Sequence, residues 1–216
     1  MYVSQMIKKA LLTLVLLLLS VTTTWASQSD YESKCLACHG ENGEGNAVLK
    51  SPSIAGLSES YLMRQLTHFR DSVRGTHKKD SSGQLMASTS SSLTNSQIQS
   101  ISQYLSNKPF QPAKPSEQSA GFIGAGLFRS CQSCHGAKGQ GEESLFAPRI
   151  AGQHIWYLKK QLSDFRAGIR GSHKSDKLGK QMVDITQALN DDEQVDLILI
   201  HISKLKPTEQ DHEVAH

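Results

Sequence analysis

The sequence predicts an all-α protein made of two tandem domains. Three observations support this fold class. The chain repeats itself after 96 residues without a gap, each half has apolar residues at helical spacing rather than the alternation that a sheet requires, and closely spaced prolines separate the halves. With 216 residues, the chain suits two domains of about 90 residues each.

The internal repeat is strong enough to define the domains. Between Cys35 and Met86, 24 of 52 positions are identical to those found 96 residues further on. Shared composition does not explain such identity, so the two halves must have one fold. We predict a first domain at 27–107 and a second at 119–207. Between them, three prolines in the linker 108–118 cannot continue a helix and favour an extended, semi-rigid connection.

Each domain is predicted to contain a long amphipathic helix. The first begins at Ser58 and stops at Gly75, and the same pattern in the second half stops at Gly171. A further helix at 116–128 is predicted to lead into the second cysteine pair. Its counterpart before the first pair is expected to be short.

A closing helix is predicted at the end of each domain. In the first domain it begins at a capping box formed by Thr94 and Gln97, and in the second at a capping box formed by Asn190 and Glu193. Apolar residues line one face of each closing helix, which is typical of a helix that packs on a core.

The N-terminus has the order of a secretory signal peptide. Lys8 and Lys9 precede an apolar run, so we predict a signal peptide at 1–26, cleaved after Ala26, and a periplasmic protein. A retained membrane anchor is the alternative, but about 12 apolar residues are too few to span a bilayer. No membrane span is predicted in the remaining chain, which ends in a polar tail at 208–216. With 21 basic and 20 acidic residues, its net charge is too near zero to predict nucleic-acid binding.

All four cysteines fall into two copies of one motif, Cys-x-x-Cys-His-Gly. Two thiols separated by two residues can each add to one vinyl group of a single haem, and the adjoining imidazole then lies under the iron. The motifs therefore predict two covalently bound haem c groups. The predicted attachment residues are Cys35, Cys38, Cys131 and Cys134, and the predicted proximal iron ligands are His39 and His135.

Zinc sites, thioredoxin-like sites and disulfides also use paired cysteines. A zinc ribbon separates its two pairs by about 15 to 20 residues, whereas these pairs lie 96 residues apart. Export favours disulfides, but the histidine and glycine after each pair favour haem. A large apolar cofactor would also complete the limited core of domains this small.

The second axial ligand of each iron is predicted to be a methionine. Met86 and Met182 occupy equivalent repeat positions, each 47 residues beyond its proximal histidine. Filling the core is the ordinary role of methionine. A core position would tolerate Leu or Ile in one copy, however, and both methionines follow a polar loop that contains glycine. We therefore expect the sulfur atoms to bind iron.

His77 and His173 are the rivals for that position, because they too are equivalent in the repeat. Both lie in very polar stretches that are typical of a solvated loop rather than of a haem pocket. We expect them to have no role, or to donate a hydrogen bond near a haem propionate.

Pro52 and Pro148 each begin the sequence Pro-x-Ile-Ala-Gly. This pattern predicts a rigid turn whose neighbouring carbonyl could accept the second N–H of the proximal imidazole and so orient it. Four repeated arginines could pair with haem propionates, although a solvated helix face explains them nearly as well. They are Arg70, Arg74, Arg166 and Arg170. Three histidines without a repeat partner are predicted to lie at the surface, namely His68, His154 and His201.

Together with the paired cysteine motifs and the late methionines, Pro-x-Ile-Ala-Gly and Tyr-Leu-x-x-Gln-Leu-x-x-Phe-Arg resemble the dihaem cytochrome c4 family. The resemblance covers essentially the whole chain after the leader. It implies two class I cytochrome c domains, each wrapped round one haem with His/Met ligation. The implied residues for the first haem are Cys35, Cys38, His39 and Met86, and those for the second are Cys131, Cys134, His135 and Met182.

The resemblance also implies a function: a periplasmic single-electron carrier of a respiratory chain that is not an enzyme. Its expected donor is a quinol–cytochrome c reductase, and its expected acceptor is a haem-copper terminal oxidase. The alternative is a dihaem subunit that accepts electrons from a flavoprotein or quinoprotein dehydrogenase. A dihaem peroxidase is disfavoured, because two nearly identical ligand sets do not suit one catalytic haem and one electron-transfer haem.

Overall fold

The computed structural model describes Met6 and residues 28–189 and 191–207, and its regular structure is helical apart from two isolated β-bridges. The predicted signal peptide, its cleavage site, Asn190 and the tail at 208–216 lie outside the described residues. Residues 28–34 are helical. The named helices are α1 (Leu36–His39), α2 (Glu59–Arg70), α3 (Ser81–Ser90), α4 (Asn95–Ser106), α5 (Gly121–His135), α6 (Ile155–Arg166), α7 (Lys177–Thr186) and α8 (Asp192–Ser203), with a 3-10 turn at Glu143–Leu145.

The helices form two similar groups, which confirms the all-α prediction. In the first group α2 packs against α3 and α4, and in the second α6 packs against α7 and α8 while α5 packs against α8. The first core contains Tyr31, Leu57, Leu62, Leu93, Ile98, Ile101 and Leu105. The second core contains Phe128, Val195, Ile198, Leu199 and Ile202. None of the described helices is long and apolar enough to cross a membrane.

The long helices start as predicted in the first domain but end earlier than predicted. The Ser58 hydroxyl caps α2 by accepting from the Tyr61 amide at 3.4 Å, and α2 ends at Arg70. Gly75 lies beyond it with φ of 82°, where an added Cβ would collide with the carbonyl oxygen of Gly83 at the start of α3. The glycine is therefore needed for the close approach of this turn to α3, and it does not end α2.

The starts of the other predicted helices differ in detail. The capping box at Thr94 is confirmed, with the Gln97 amide donating to its hydroxyl at 3.2 Å. The cap of α8 is Asp191, one residue later than predicted, because its carboxylate accepts from the Glu193 amide at 2.9 Å. The helix predicted at 116–128 begins at Gly121 and continues through the cysteine motif to His135.

The linker lies against the second domain and reaches the first. The Ala113 amide donates to the Gly152 carbonyl at 2.8 Å. The Arg149 guanidinium carbon lies 3.2 Å from the centre of the Phe110 ring. Phe110 also lies next to Gly56 of the first domain. These contacts hold the two domains in a defined relation.

Two glycines of α5 provide a test of helix packing. A Cβ at Gly124 would lie 2.7 Å from the Leu197 carbonyl oxygen of α8, whereas a Cβ at Gly126 would meet nothing within 4 Å. We expect Gly124→Ala to destabilise the protein by about 1–3 kcal/mol, because α5 and α8 must separate. Gly126→Ala should stabilise it by up to about 1 kcal/mol through helix propensity. Urea unfolding of both variants followed by circular dichroism measures this, and equal effects would contradict the packing.

Candidate haem sites

The proximal histidines are held in the same way in both domains. His39 ends α1, and its Nδ1 lies 3.0 Å from the Pro52 carbonyl oxygen. His135 ends α5, and its Nδ1 lies 2.7 Å from the Pro148 carbonyl oxygen. A carbonyl oxygen only accepts, so each Nδ1 must donate and each Nε2 keeps its lone pair for iron. The predicted role of the proline turn is confirmed, with the proline's own carbonyl as the acceptor.

In each domain a loop that contains glycine brings the proline turn close to the proximal histidine. In the first domain the Gly45 amide donates to the His39 carbonyl at 2.8 Å, and in the second the Gly141 amide donates to the His135 carbonyl at 2.8 Å. Gly45 has φ of 87°, and a Cβ there would lie 2.6 Å from the Ser53 nitrogen. Only glycine combines this backbone conformation with such a close approach.

Burial keeps both proximal imidazoles neutral. His39 and His135 are buried, and desolvation lowers the pKa of each below its ordinary value, although the hydrogen bond to the proline carbonyl acts in the opposite direction. A metal ligand must be the neutral imidazole, because the protonated ring has no free lone pair. The environment therefore favours the form that binds iron.

The cysteines lie at the edge of each core. Cys35 packs against the first core and Cys131 against the second, whereas Cys38 is exposed. Burial raises the pKa of the Cys35 thiol to about 11 and raises that of Cys131. No disulfide joins these cysteines. Two thiols and a buried neutral imidazole on one helical segment, beside an apolar core, fit a covalently attached haem.

The methionines predicted as ligands were expected to follow polar loops. In the structure they lie within helices instead. Met86 is in α3 and Met182 is in α7. Asp80 caps α3 through the Gly83 amide at 3.1 Å, and Asp176 caps α7 in the same way. The polar stretch before each methionine contains this aspartate cap. The stretch therefore begins a helix, although we expected it to be a loop.

Neither Met86 nor Met182 belongs to the described cores. Both side chains are half-buried, whereas Met63, which has no methionine counterpart, packs against the first core. This contrast disfavours core filling as their role. The sulfur atoms remain candidate ligands on one helix of each domain.

His77 and His173 use their ring nitrogens differently from the proximal histidines. Nδ1 of His77 accepts from the Lys79 amide at 3.2 Å, and Nδ1 of His173 accepts from the Ser175 amide at 3.2 Å. In the neutral ring the proton then lies on Nε2, so no lone pair remains for iron. His77 is half-buried and His173 is exposed, and this geometry disfavours both as ligands.

The four repeated arginines separate into two pairs. Arg70 and Arg166 bond within their own domains, to Asp71 at 2.7 Å and to Asp192 at 2.5 Å respectively. The other pair lies between the domains, where Arg74 is buried and donates to Gln161 across the interface at 2.9 Å. A solvated helix face therefore does not account for Arg74 and its counterpart.

Two of the three unmatched histidines were wrongly predicted as surface residues. His154 lies against the first domain, with Nε2 3.2 Å from the Glu44 carbonyl oxygen, and His68 lies 3.9 Å from Asp176 of the second domain. The His201 ring is tilted against the Phe128 ring, with the two ring centroids 5.2 Å apart. Interface residues are difficult to find from one sequence, but polar residues identical in both repeats, such as Gln65 and Gln161, were an available sign.

The turns that orient the proximal histidines also join the domains. The Gln153 side chain accepts from the Ser53 amide at 3.1 Å and donates to the Ser53 carbonyl at 2.7 Å. Arg149 donates to the Ala55 carbonyl at 2.8 Å. Gln153 and Arg149 are both buried. The relation between the domains thus depends on the same turns that position the imidazoles.

Two duplicated helical domains, each with a Cys-x-x-Cys-His motif and an oriented proximal imidazole, define a dihaem c-type cytochrome. Residues 27–108 and 123–206 each match the cytochrome c family. The chain belongs to this family, whose domains bind haem c covalently, and the structure confirms the predicted fold of two cytochrome c domains. It is an electron carrier of the cytochrome c4 type.

Individual relatives agree with this assignment. Cytochrome c4 of Azotobacter vinelandii is 34% identical over 149 residues, which is 63% of this chain and 69% of the relative. A thiosulfate dehydrogenase electron acceptor of Stutzerimonas stutzeri is 30% identical over 171 residues, covering 74% of this chain and 73% of the relative. The reduced cytochrome c4 structure from Pseudomonas stutzeri superposes with a TM-score of 0.69 at 25% identity, over 85% of this chain and 98% of that one.

The rival histidine ligands can be tested directly. We expect His77→Ala and His173→Ala to leave the absorption band between methionine sulfur and ferric iron unchanged, because Nδ1 of each ring already accepts a backbone hydrogen bond. Optical spectra of the oxidised holoprotein measure this band. If His77 or His173 were the sixth ligand instead, the unsubstituted protein would lack this band for that haem, and replacing the histidine would change the spectrum of that haem.

Proposed function

We propose that this protein is an exported, periplasmic dihaem cytochrome c that transfers single electrons and performs no bond-making chemistry. The main observation in support of this proposal is that the two sites are equivalent. Each has a neutral imidazole bonded to a proline carbonyl and a methionine at the same place on a capped helix. Among the described residues the two sites present the same donors, which does not suit one open catalytic iron beside one closed electron-transfer iron.

The proposed ligand sets follow from this equivalence. Cys35 and Cys38 attach the first haem, with His39 and Met86 as its axial ligands. The second set is Cys131, Cys134, His135 and Met182. The haem iron supplies the one-electron change between ferrous and ferric states, and His/Met ligation favours a fairly high potential. The chain orients the proximal imidazole, keeps it neutral and excludes water from it.

The domain interface supports transfer between the two haems of one molecule. Gln153 and Arg149 connect the two proximal turns, and Lys160 of α6 bonds at 2.9 Å to Asp80, the cap of the helix that carries Met86. Both axial sides of the first site are thus tied to the second domain. A fixed relation between the sites keeps the distance for electron transfer constant.

The location and the partners are proposed from the leader and from the family resemblance. The basic and apolar order of residues 1–26 supports export to the periplasm. The proposed donor is a quinol–cytochrome c reductase, and the proposed acceptor is a haem-copper terminal oxidase. Both are redox proteins that would dock on the surface of this carrier.

A second candidate is the electron-accepting partner of a dehydrogenase. The Stutzerimonas relative described as a thiosulfate dehydrogenase electron acceptor favours it, since the similarity covers 74% of this chain. In that case a dehydrogenase would reduce the haems in a specific complex. A dihaem peroxidase has no such support, and the two equivalent sites disfavour it.

The methionine ligands can be tested by substitution. We expect Met86→Ala and Met182→Ala each to let carbon monoxide bind one reduced haem and to lower the potential of that haem, because the thioether that stabilises ferrous iron is lost. Met63→Ala is the matched control, since Met63 packs against the first core, and it should leave both haems closed. Carbon monoxide difference spectra and redox titration measure the effect. Ready binding of carbon monoxide by both haems of the unsubstituted protein would contradict the proposal.

The two candidate partners can be separated by kinetics. We expect purified quinol–cytochrome c reductase to reduce the holoprotein faster than thiosulfate dehydrogenase with thiosulfate does, in stopped-flow absorption at matched enzyme concentration. The native protein should elute from gel filtration as a single chain. Faster reduction by the dehydrogenase, or elution in a stoichiometric complex with one, would favour the second candidate.

A further inference from the structure

The aspartates that cap the two methionine-bearing helices meet different partners across the domain interface. Asp80 caps α3, and Lys160 of the second domain donates to its carboxylate at 2.9 Å. Asp176 caps α7 and faces His68 of the first domain, whose Nδ1 lies 3.9 Å from the carboxylate. The first cap is thus paired with a lysine, whereas the second faces a histidine.

Two differences between the repeats account for this asymmetry. Arg64 is the counterpart of Lys160, but its guanidinium donates to the Phe146 carbonyl at 2.8 Å, and its charge acts on the second cap without an ion pair. Asp164 is the counterpart of His68, and it forms an ion pair with Lys160. The second cap therefore has a titratable partner where the first has a permanent cation.

The surroundings of His68 keep its imidazole neutral near pH 7. Burial is the largest effect and lowers the pKa of His68 below its ordinary value, while the Asp176 carboxylate acts in the opposite direction. Nδ1 of His68 is buried and has no hydrogen-bond partner among the described residues. The charged groups that act on His68 come from both domains. They are Asp176 and Arg170 of the second domain, and Arg64, Asp71 and Arg74 of the first.

Asp176 connects His68 to the helix of the second proposed methionine ligand. Its buried carboxylate accepts from the Gly179 amide at 2.8 Å, and Met182 lies on the same helix three residues further on. While His68 is neutral, the negative charge of Asp176 lies at the start of α7 without a directly paired cation from His68. A proton on His68 offsets that charge and makes the surroundings of the second site more positive.

We propose that His68 is a proton-binding site that couples the potential of the second haem to pH through Asp176. This inference rests on the proposed function, in which the second haem is a one-electron carrier. One proton passes from water to the imidazole as one electron reaches the iron from the redox partner, and no other bond is made or broken. Added positive charge favours ferrous over ferric iron, so the potential of the second haem rises as the solution becomes more acidic.

The first cap provides no corresponding step. Burial acts to lower the pKa of Lys160, but its hydrogen bonds to Asp164 and Asp80 raise that pKa above its ordinary value. Lys160 is therefore charged at every pH at which His68 titrates. The two haems, whose proposed ligands are equivalent, then respond differently to pH because of two residues outside the ligand sets.

The test is a redox titration of the holoprotein from about pH 4.5 to pH 8, a range that includes the ordinary pKa of histidine. We expect the ratio of oxidised to reduced second haem at a fixed potential to change about threefold more than that of the first. This is about 28 mV for a one-electron couple. The shift that Met182→Ala causes identifies the wave of the second haem. His68→Gln, which is neutral throughout, should remove the extra pH dependence.

The proton can also be observed directly. Linkage requires His68 to bind its proton more tightly in the reduced protein, by the same threefold factor. NMR titration of the His68 ring in both oxidation states measures this difference, and His68→Gln identifies the signal. An equal pKa in the two states would overturn the proposal.

Two further variants separate the proton site from a structural role. His201→Gln is the matched control, because burial alone lowers the pKa of this second-domain histidine, and it should leave the pH dependence unchanged. Asp176→Asn keeps a side chain that can cap α7 but removes the carboxylate charge, so it should move the titration of His68 to lower pH. A purely structural contact would predict no such movement.

Each other outcome has a defined meaning. Persistence of the extra pH dependence in His68→Gln would assign it to another group, such as a haem propionate, and would overturn the proposal. An equal pH dependence of both haems would do the same. If His68→Gln does not fold, Asp176→Asn decides, and an unmoved titration would be the contradicting result. Absence of the methionine–iron band in the unsubstituted protein would contradict the proposed function instead.

Discussion

The hydrogen bond from each proximal imidazole to a proline carbonyl is the interaction on which the rest of the structure depends. It selects the tautomer whose Nε2 can bind iron, and burial keeps that ring neutral. A glycine with positive φ is needed to bring the proline turn close enough, as Gly45 shows. The same turn continues into Ser53, which bonds to Gln153 of the other domain. One turn therefore orients the ligand and joins the domains.

Some contacts between the two domains are symmetric, because equivalent residues of both halves make them, and others are asymmetric. Arg74 and Arg170 each donate to both Gln65 and Gln161, and because these residues are identical in the two halves, the hydrogen bonds are nearly symmetric. The contacts between the proximal turns are asymmetric, because Gln153 occupies the position at which the first domain has Leu57, a residue of its core. The domain interface therefore combines symmetric contacts with asymmetric ones, so the surroundings of the two proximal turns differ.

Buried polar groups at the interface have a structural consequence. Gln153 and Arg149 satisfy backbone groups of the first domain that would otherwise be buried without partners. Burying such groups without hydrogen bonds would be costly, so the interface has one favourable arrangement rather than many. A defined orientation between two electron-transfer sites is the functional result.

The sequence by itself determined the repeated domains, the all-α fold, the cysteine motifs and the histidine beside each motif. These features depend on local spacing, which is visible along the chain. Two features were predicted wrongly. The aspartate caps that place Met86 and Met182 in helices are a local signal that was missed, whereas the approach of His68 to Asp176 depends on how the two domains pack. Only the tertiary structure brought Arg74 and Arg170 to the same glutamines, because each of these contacts joins the turn after one long helix to a residue of the other domain, 87 or 105 residues away in sequence, and no local pattern encodes such a meeting.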